Sequence, residues 1–155
     1  MPTHKLCLGT FAGLCLTAVS AGAADVDIFT AKDIATMTQT LASKGPAFAD
    51  KNIAHYGNHY LLLARRGETG ASELHEHEAD IFVVESGSAT ILTGGKIVKP
   101  QTTKPGEIRG SSIEGGERHA LAAGDIIHIP AGTPHQLLIE KGTPFAYFVV
   151  KVTGQ

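Results

Sequence analysis

Gly124-Asp125-Ile126-Ile127-His128-Ile129-Pro130-Ala131-Gly132-Thr133-Pro134-His135 is the stretch on which the fold turns, together with the earlier His75-Glu76-His77-Glu78-Ala79-Asp80. In the longer stretch a short apolar run stops at a proline, passes through a Pro-Ala-Gly-Thr-Pro turn and restarts on a histidine, the pattern of two strands joined by a tight connection. In the shorter one, side chains alternate faces along a strand, so His75 and His77 point the same way and can grip one ion while Glu76 points away. Asp80 lies three residues on, past a bend, and the turn before His135 can swing that ring to the same point. Three imidazoles and a carboxylate suit a divalent first-row metal, Fe, Mn, Zn, Ni or Co, without choosing among them.

Working outward, the rest of the chain reads as β. Strands are expected at 53–56, 59–66, 73–77, 80–85, 88–93 and 97–99, with Gly94-Gly95 as a turn, and again at 117–121, 126–129, 135–140 and 145–152. Many short strands punctuated by Gly and Pro favour an all-β antiparallel barrel or double-sheet jelly roll over any βαβ arrangement. Ahead of them Thr30-Ala31-Lys32-Asp33 has the form of a helix start, and Ile34, Met37 and Leu41 recur at helical spacing until Gly45-Pro46. One short amphipathic helix is therefore expected on the outside of the domain. The polar segment 100–116 is long and is expected to form a flap over the barrel mouth.

Met1 to Ala24 has the form of a secretory signal: Lys5 near the start, an apolar run from Leu6 to Val19, then Ser20-Ala21-Gly22-Ala23-Ala24. The expected organisation is a signal peptide over 1–23, a helical extension over 24–52 and a barrel domain over 53–155. That predicts an exported, periplasmic protein without a membrane span after processing. Both cysteines, Cys7 and Cys15, fall in the segment that would be removed, which excludes thiol nucleophiles and Cys-built metal sites from the remainder. Thirteen basic against fifteen acidic residues, with no basic block, give no footprint for nucleic acid. Eight histidines and no tryptophan leave metal-capable side chains as the enrichment.

With Gly70, His75, His77, Asp80 and Gly87 in one cluster and Gly124, Pro130, Gly132 and His135 in the other, the chain resembles a small single-domain cupin of the conserved-barrel kind. The resemblance covers roughly residues 60–152. It implies a jelly-roll barrel, a divalent metal on His75, His77, Asp80 and His135, a small-molecule ligand or substrate in the barrel, and pairing into a homodimer. Dioxygenases, isomerases and lyases are the activities it implies, and a metal- or ligand-binding module without turnover is the alternative. Three departures stand out: the family acid is usually Glu and follows the second histidine after three or four residues, whereas Asp80 follows His77 after two; the family's second-motif Asn is Ile139; and the inter-motif stretch is long. Glu76 or Glu78 could replace Asp80. Among other polar residues, Tyr147, Glu117 and His128 are acid/base candidates if they face the cavity, His119 reads as a solvated strand position and His128 as a satisfied core histidine.

Overall fold

The computed structural model describes residues 26–45 and 47–155; the signal-peptide reading lies outside them. Among the described residues one helix, α1 (Ala31–Lys44), precedes thirteen strands: β1 (Phe48–Tyr56), β2 (His59–Arg66), β3 (Ser72–His75), β4 (Glu78–Ser86), β5 (Ser88–Thr93), β6 (Lys96–Val98), β7 (Gln101–Lys104), β8 (Glu107–Gly110), β9 (Ser112–Glu114), β10 (Glu117–Ala122), β11 (Ile126–Ile129), β12 (His135–Leu138) and β13 (Phe145–Thr153). All pairings are antiparallel. They build a five-stranded sheet in the order β1-β2-β13-β4-β11 and a six-stranded sheet in the order β10-β5-β12-β3-β8-β7, with β6 and β9 as a separate ribbon.

Alternation explains what each sheet buries. On β2, Ala64 joins the barrel core with Phe82, Val84, Ile91, Leu137, Phe145 and Val149, whereas Leu63 faces outward. Its partners there are Ile34 and Leu41 of α1 and Ala49 of β1. The helix thus covers the outside of the five-stranded sheet with the stripe its spacing announced. It starts as a capping box: the Asp33 N–H donates to Thr30 Oγ1 at 3.2 Å, and Thr30 N donates back to Asp33 Oδ2 at 3.0 Å, satisfying donors the first turn leaves free.

Two segments differ from the sequence reading. Strand β1 begins at Phe48, five residues before the expected Ile53, because Asp50, Lys51 and Asn52 form an edge strand with one wet face that carries no apolar alternation. Segment 100–116 is not a flap. It forms β7 and β8, which extend the six-stranded sheet beyond β3, and β9, so its polarity is that of strands with a solvated face. Gly87 sits between β4 and β5 with φ +79°, and an added Cβ would run into the Pro144 carbonyl oxygen, which accounts for glycine there.

Candidate metal centre

Between the two sheets lies a cluster that four strands assemble. On β3, Glu73 and His75 are alternate residues and share a face; β12 opens with His135, paired in register with Glu73. From the opposite sheet β4 contributes Asp80, and β13 places Lys151 beside it in register. His75, Asp80 and His135 are buried, exposing 4%, 2% and 4% of their surface.

The donor atoms converge. His75 Nε2 lies 3.6 Å from Glu73 Oε2 and 3.5 Å from Asp80 Oδ2, and His135 Nε2 lies 3.6 Å from the same Asp80 oxygen. These separations are too long for hydrogen bonds. They are close to the roughly 3–3.5 Å between neighbouring donors around one ion with bonds near 2.0–2.2 Å. Glu73, His75 and His135 each offer a ligand atom within 4.8 Å of the others. Neither ring nitrogen of His75 has a hydrogen-bond partner although both are buried. A buried imidazole with both nitrogens unpaired costs free energy that a bound ion removes from the accepting nitrogen. The residues present therefore fit a metal.

Surrounding groups hold His135, Glu73 and Asp80 in place. Thr133 O is 3.0 Å from His135 Nδ1; a carbonyl only accepts, so Nδ1 carries the hydrogen and Nε2 keeps its lone pair toward the cluster. Burial pushes the His135 pKa below its ordinary value, against the pull of Glu73 and Asp80, keeping the ring neutral. Glu73 Oε1 is bound by Arg66 Nη2 at 3.0 Å and Arg109 Nη1 at 2.9 Å, leaving Oε2 to face His75. Burial opposes the charge of Glu73, but the His75 ring, Arg109, His135 and Arg66 together draw its pKa well below the usual carboxylate range. Lys151 Nζ is 2.7 Å from Asp80 Oδ1 and 3.0 Å from Oδ2. Glu107 closes the inner side of the β7–β8 hairpin; burial opposes its charge, yet hydrogen bonds from Arg109, Thr103 and Lys104 lower its pKa to about 2.

His77 is not brought into this group. Strand β3 ends at His75 because the chain must leave the six-stranded sheet and enter the five-stranded one at Glu78, so Glu76 and His77 form a bend and the alternation stops. Glu76 N donates to Gly106 O at 2.8 Å, the His77 carbonyl accepts from Gly154 and Gln155, and the His77 side chain is exposed. Glu73 takes the place the sequence reading gave to a histidine. The signal for it was present: Glu73 and His75 are alternate residues of one strand, so the period-two rule that paired His75 with His77 pairs them equally well. Glu76 is exposed, while Glu78 accepts from Tyr60 Oη at 3.1 Å and lies 4.0 Å from Lys151.

Glu73, His75 and Asp80 of the cluster line a 420 Å³ cavity whose walls include Tyr60, Arg66, Tyr147 and Arg109; His135 is not part of that lining. Tyr147 is buried and its hydroxyl accepts from Arg66 Nε at 3.0 Å; burial raises its pKa despite Arg66, so the phenol stays protonated. Glu117 is exposed, and His128, exposed rather than in the core, lines with His119 a separate 340 Å³ surface cavity. A larger 670 Å³ groove along β5 and β10 shares no residue with the cluster.

No family model matches the chain, and no curated protein matches it. Solved structures do. A conserved protein with a double-stranded β-helix domain from Klebsiella pneumoniae superposes with a TM-score of 0.57 at 19% identity, over 84% of this chain and 93% of that one. TT1209 from Thermus thermophilus gives 0.54 at 19% identity, over 75% and 93%. KdgF from Halomonas sp. gives 0.52 at 17% identity, over 72% and 84%. At these identities the likeness is one of fold.

Proposed function

From a double-stranded β-helix of the cupin type as premise, we propose that this chain is an exported protein holding one divalent first-row metal on Glu73, His75, Asp80 and His135, and that it acts on a small molecule in the adjoining cavity. The observation that carries this is the buried His75 ring, unpaired at both nitrogens and spaced from two carboxylates as ligands are spaced. Two neutral imidazoles and two carboxylates are a hard-to-borderline donor set that suits iron, manganese, cobalt, nickel or zinc.

Glu73 has Oε1 tied to Arg66 and Arg109 and Oε2 turned toward His75, while Asp80, held by Lys151 at both oxygens, turns Oδ2 toward both rings, so each presents one oxygen to the cluster. That economy leaves positions on an ion for water or substrate. A bound ion supplies Lewis acidity or a bound water of lowered pKa, the chemistry that lyases and isomerases use. Of the three acid/base candidates, Tyr147 alone lines the cavity among the described residues, and as a protonated phenol anchored by Arg66 it can donate a proton to an oxygen of a bound molecule.

Titration of the metal-free protein with Co²⁺, followed by the visible absorption of the bound ion, tests the ligand set. Saturation at one ion per chain is expected, with affinity falling at least about tenfold in His135→Ala and in Glu73→Gln. Equal affinity in parent and both variants would refute it. Export rests on residues 1–24, and the mass of the mature chain recovered from the periplasm, expected to begin near Ala24 or Asp25, tests it.

A further inference from the structure

The cavity over the cluster has an unequal distribution of charge. Four basic side chains line it, Arg66, Lys104, Arg109 and Lys151, matched in number by four carboxylates, Asp50, Glu73, Asp80 and Glu107. The acids of the floor are shielded: the side chains of Asp80, Glu107 and Glu73 expose 2%, 11% and 15%. The basic heads of the β7–β8 hairpin are not, Lys104 exposing 59% and Arg109 38%. On that wall an entering molecule meets positive charge first, with Asp50 on the opposite wall.

Arg109 is fixed from beneath. Its Nε is 2.7 Å from Glu107 Oε1 and its Nη1 2.9 Å from Glu73 Oε1, while Nη2 makes no hydrogen bond among the described residues. A guanidinium locked by two buried carboxylates is a rigid fork with donors to spare, the form suited to recognising another carboxylate. Lys104 Nζ stands on the same Glu107, 3.1 Å from Oε2. With four acids already balancing four bases, a divalent ion at the cluster would leave the lining two positive charges in excess. A volume of 420 Å³ is at the small end for ligand pockets.

We propose that the molecule this cavity takes is a small carboxylic acid in its ionised form, its carboxylate docked against Arg109 Nη2 and Lys104 Nζ on the hairpin wall. The charge excess rests on the ion-binding reading above; the docking wall does not. The hairpin that extends the six-stranded sheet is thereby the specificity element of the site.

Calorimetric titration of the full chain, metal-free and Co²⁺-loaded, with glycolate and succinate against their uncharged amides provides the test. At least one acid is expected to bind the loaded protein about tenfold or more tighter than its amide, the gap narrowing with added salt. Lys104→Gln should weaken acid binding several-fold, leave amide binding and metal content unchanged, and be rescued by Lys104→Arg. A protein that takes up one ion yet treats acids and amides alike, or ignores Lys104, overturns the proposal and leaves the metal reading standing. A protein that takes up no ion but still prefers the acids through Lys104 refutes the metal and supports the docking wall. Neither ion uptake nor acid preference refutes both.

Discussion

Replacing Lys151 with Met removes one partner of a buried ion pair and leaves the other in place. Asp80 exposes 2% of its surface and Lys151 8%, and the ammonium lies 2.7 and 3.0 Å from the two carboxylate oxygens. Deleting one partner of a buried pair costs on the order of 3–5 kcal/mol, because the remaining charge is stranded. Beyond Lys151, the polar neighbours of Asp80 are the rings of His75 and His135 at 3.5 and 3.6 Å, neither of them a permanent cation. For a domain of about 130 residues that loss corresponds to a fall in Tm of roughly 10–20 °C. Two companions separate this cause from simple loss of packing. Asp80→Asn in the Lys151→Met background removes the stranded charge and should recover most of the loss, a non-additivity that a double-mutant cycle reads directly. A saturating divalent ion, by compensating Asp80 itself, should raise the Tm of Lys151→Met more than that of the parent. Urea unfolding and thermal melts of the four proteins, metal-free and loaded, are the assay. A destabilisation below about 1 kcal/mol, or one untouched by Asp80→Asn, would refute the reasoning.

Further outcomes follow from the same geometry. Gly87→Ala should destabilise by about 2 kcal/mol or more, because it adds a clash with the Pro144 carbonyl to a left-handed backbone, whereas Gly142→Ala, at φ +87° with open space around it, should cost about 1 kcal/mol; equal costs in urea melts would contradict the packing account. Acid should destabilise the metal-free protein in two stages. His135 is depressed, so below about pH 6.5 the unfolded chain takes up a proton that the folded one does not; Glu73 and Glu107, both lowered, then add a loss as pH falls below about 4.5 toward the folded values. A Tm flat from pH 7 to pH 3 would contradict both. Chelation should leave the far-ultraviolet circular dichroism of the barrel unchanged, since Lys151, Arg66 and Arg109 compensate the carboxylates without an ion; loss of β signal on chelation would refute that.

The barrel was legible because its strands are short runs rich in Leu, Ile, Val and aromatic residues set off by Gly, Pro and Asn turns. Residues 59–66, 88–93 and 126–129 form strands with the bounds read from the sequence, and the turn at Pro130–Pro134 delivers His135 into the cluster as its spacing requires. The helix was legible from Thr30, Asp33 and the stripe of Ile34 and Leu41. The first half of the site was harder. His75 and His77 are alternate residues, but alternation places them together only while the strand lasts, and where a strand ends to change sheets is a tertiary fact. The chain bends at Glu76 and His77, which moves the pair that matters back to Glu73 and His75. Lys151 was hidden for the same reason: nothing local in Val150-Lys151-Val152 announces that its neighbour across the sheet is Asp80. Strand β7, Gln101–Lys104, has all four residues exposed and none apolar, so nothing local marks it as part of a sheet.

Elemental analysis of the mature chain, purified without added metal or affinity tag, beside His75→Ala and His77→Ala, tests the metal centre most directly. The account predicts close to one first-row metal per chain in the parent, nearly complete loss in His75→Ala and retention in His77→Ala, whose ring lies outside the cluster. A parent without metal, or a His77→Ala variant as empty as His75→Ala, would contradict it.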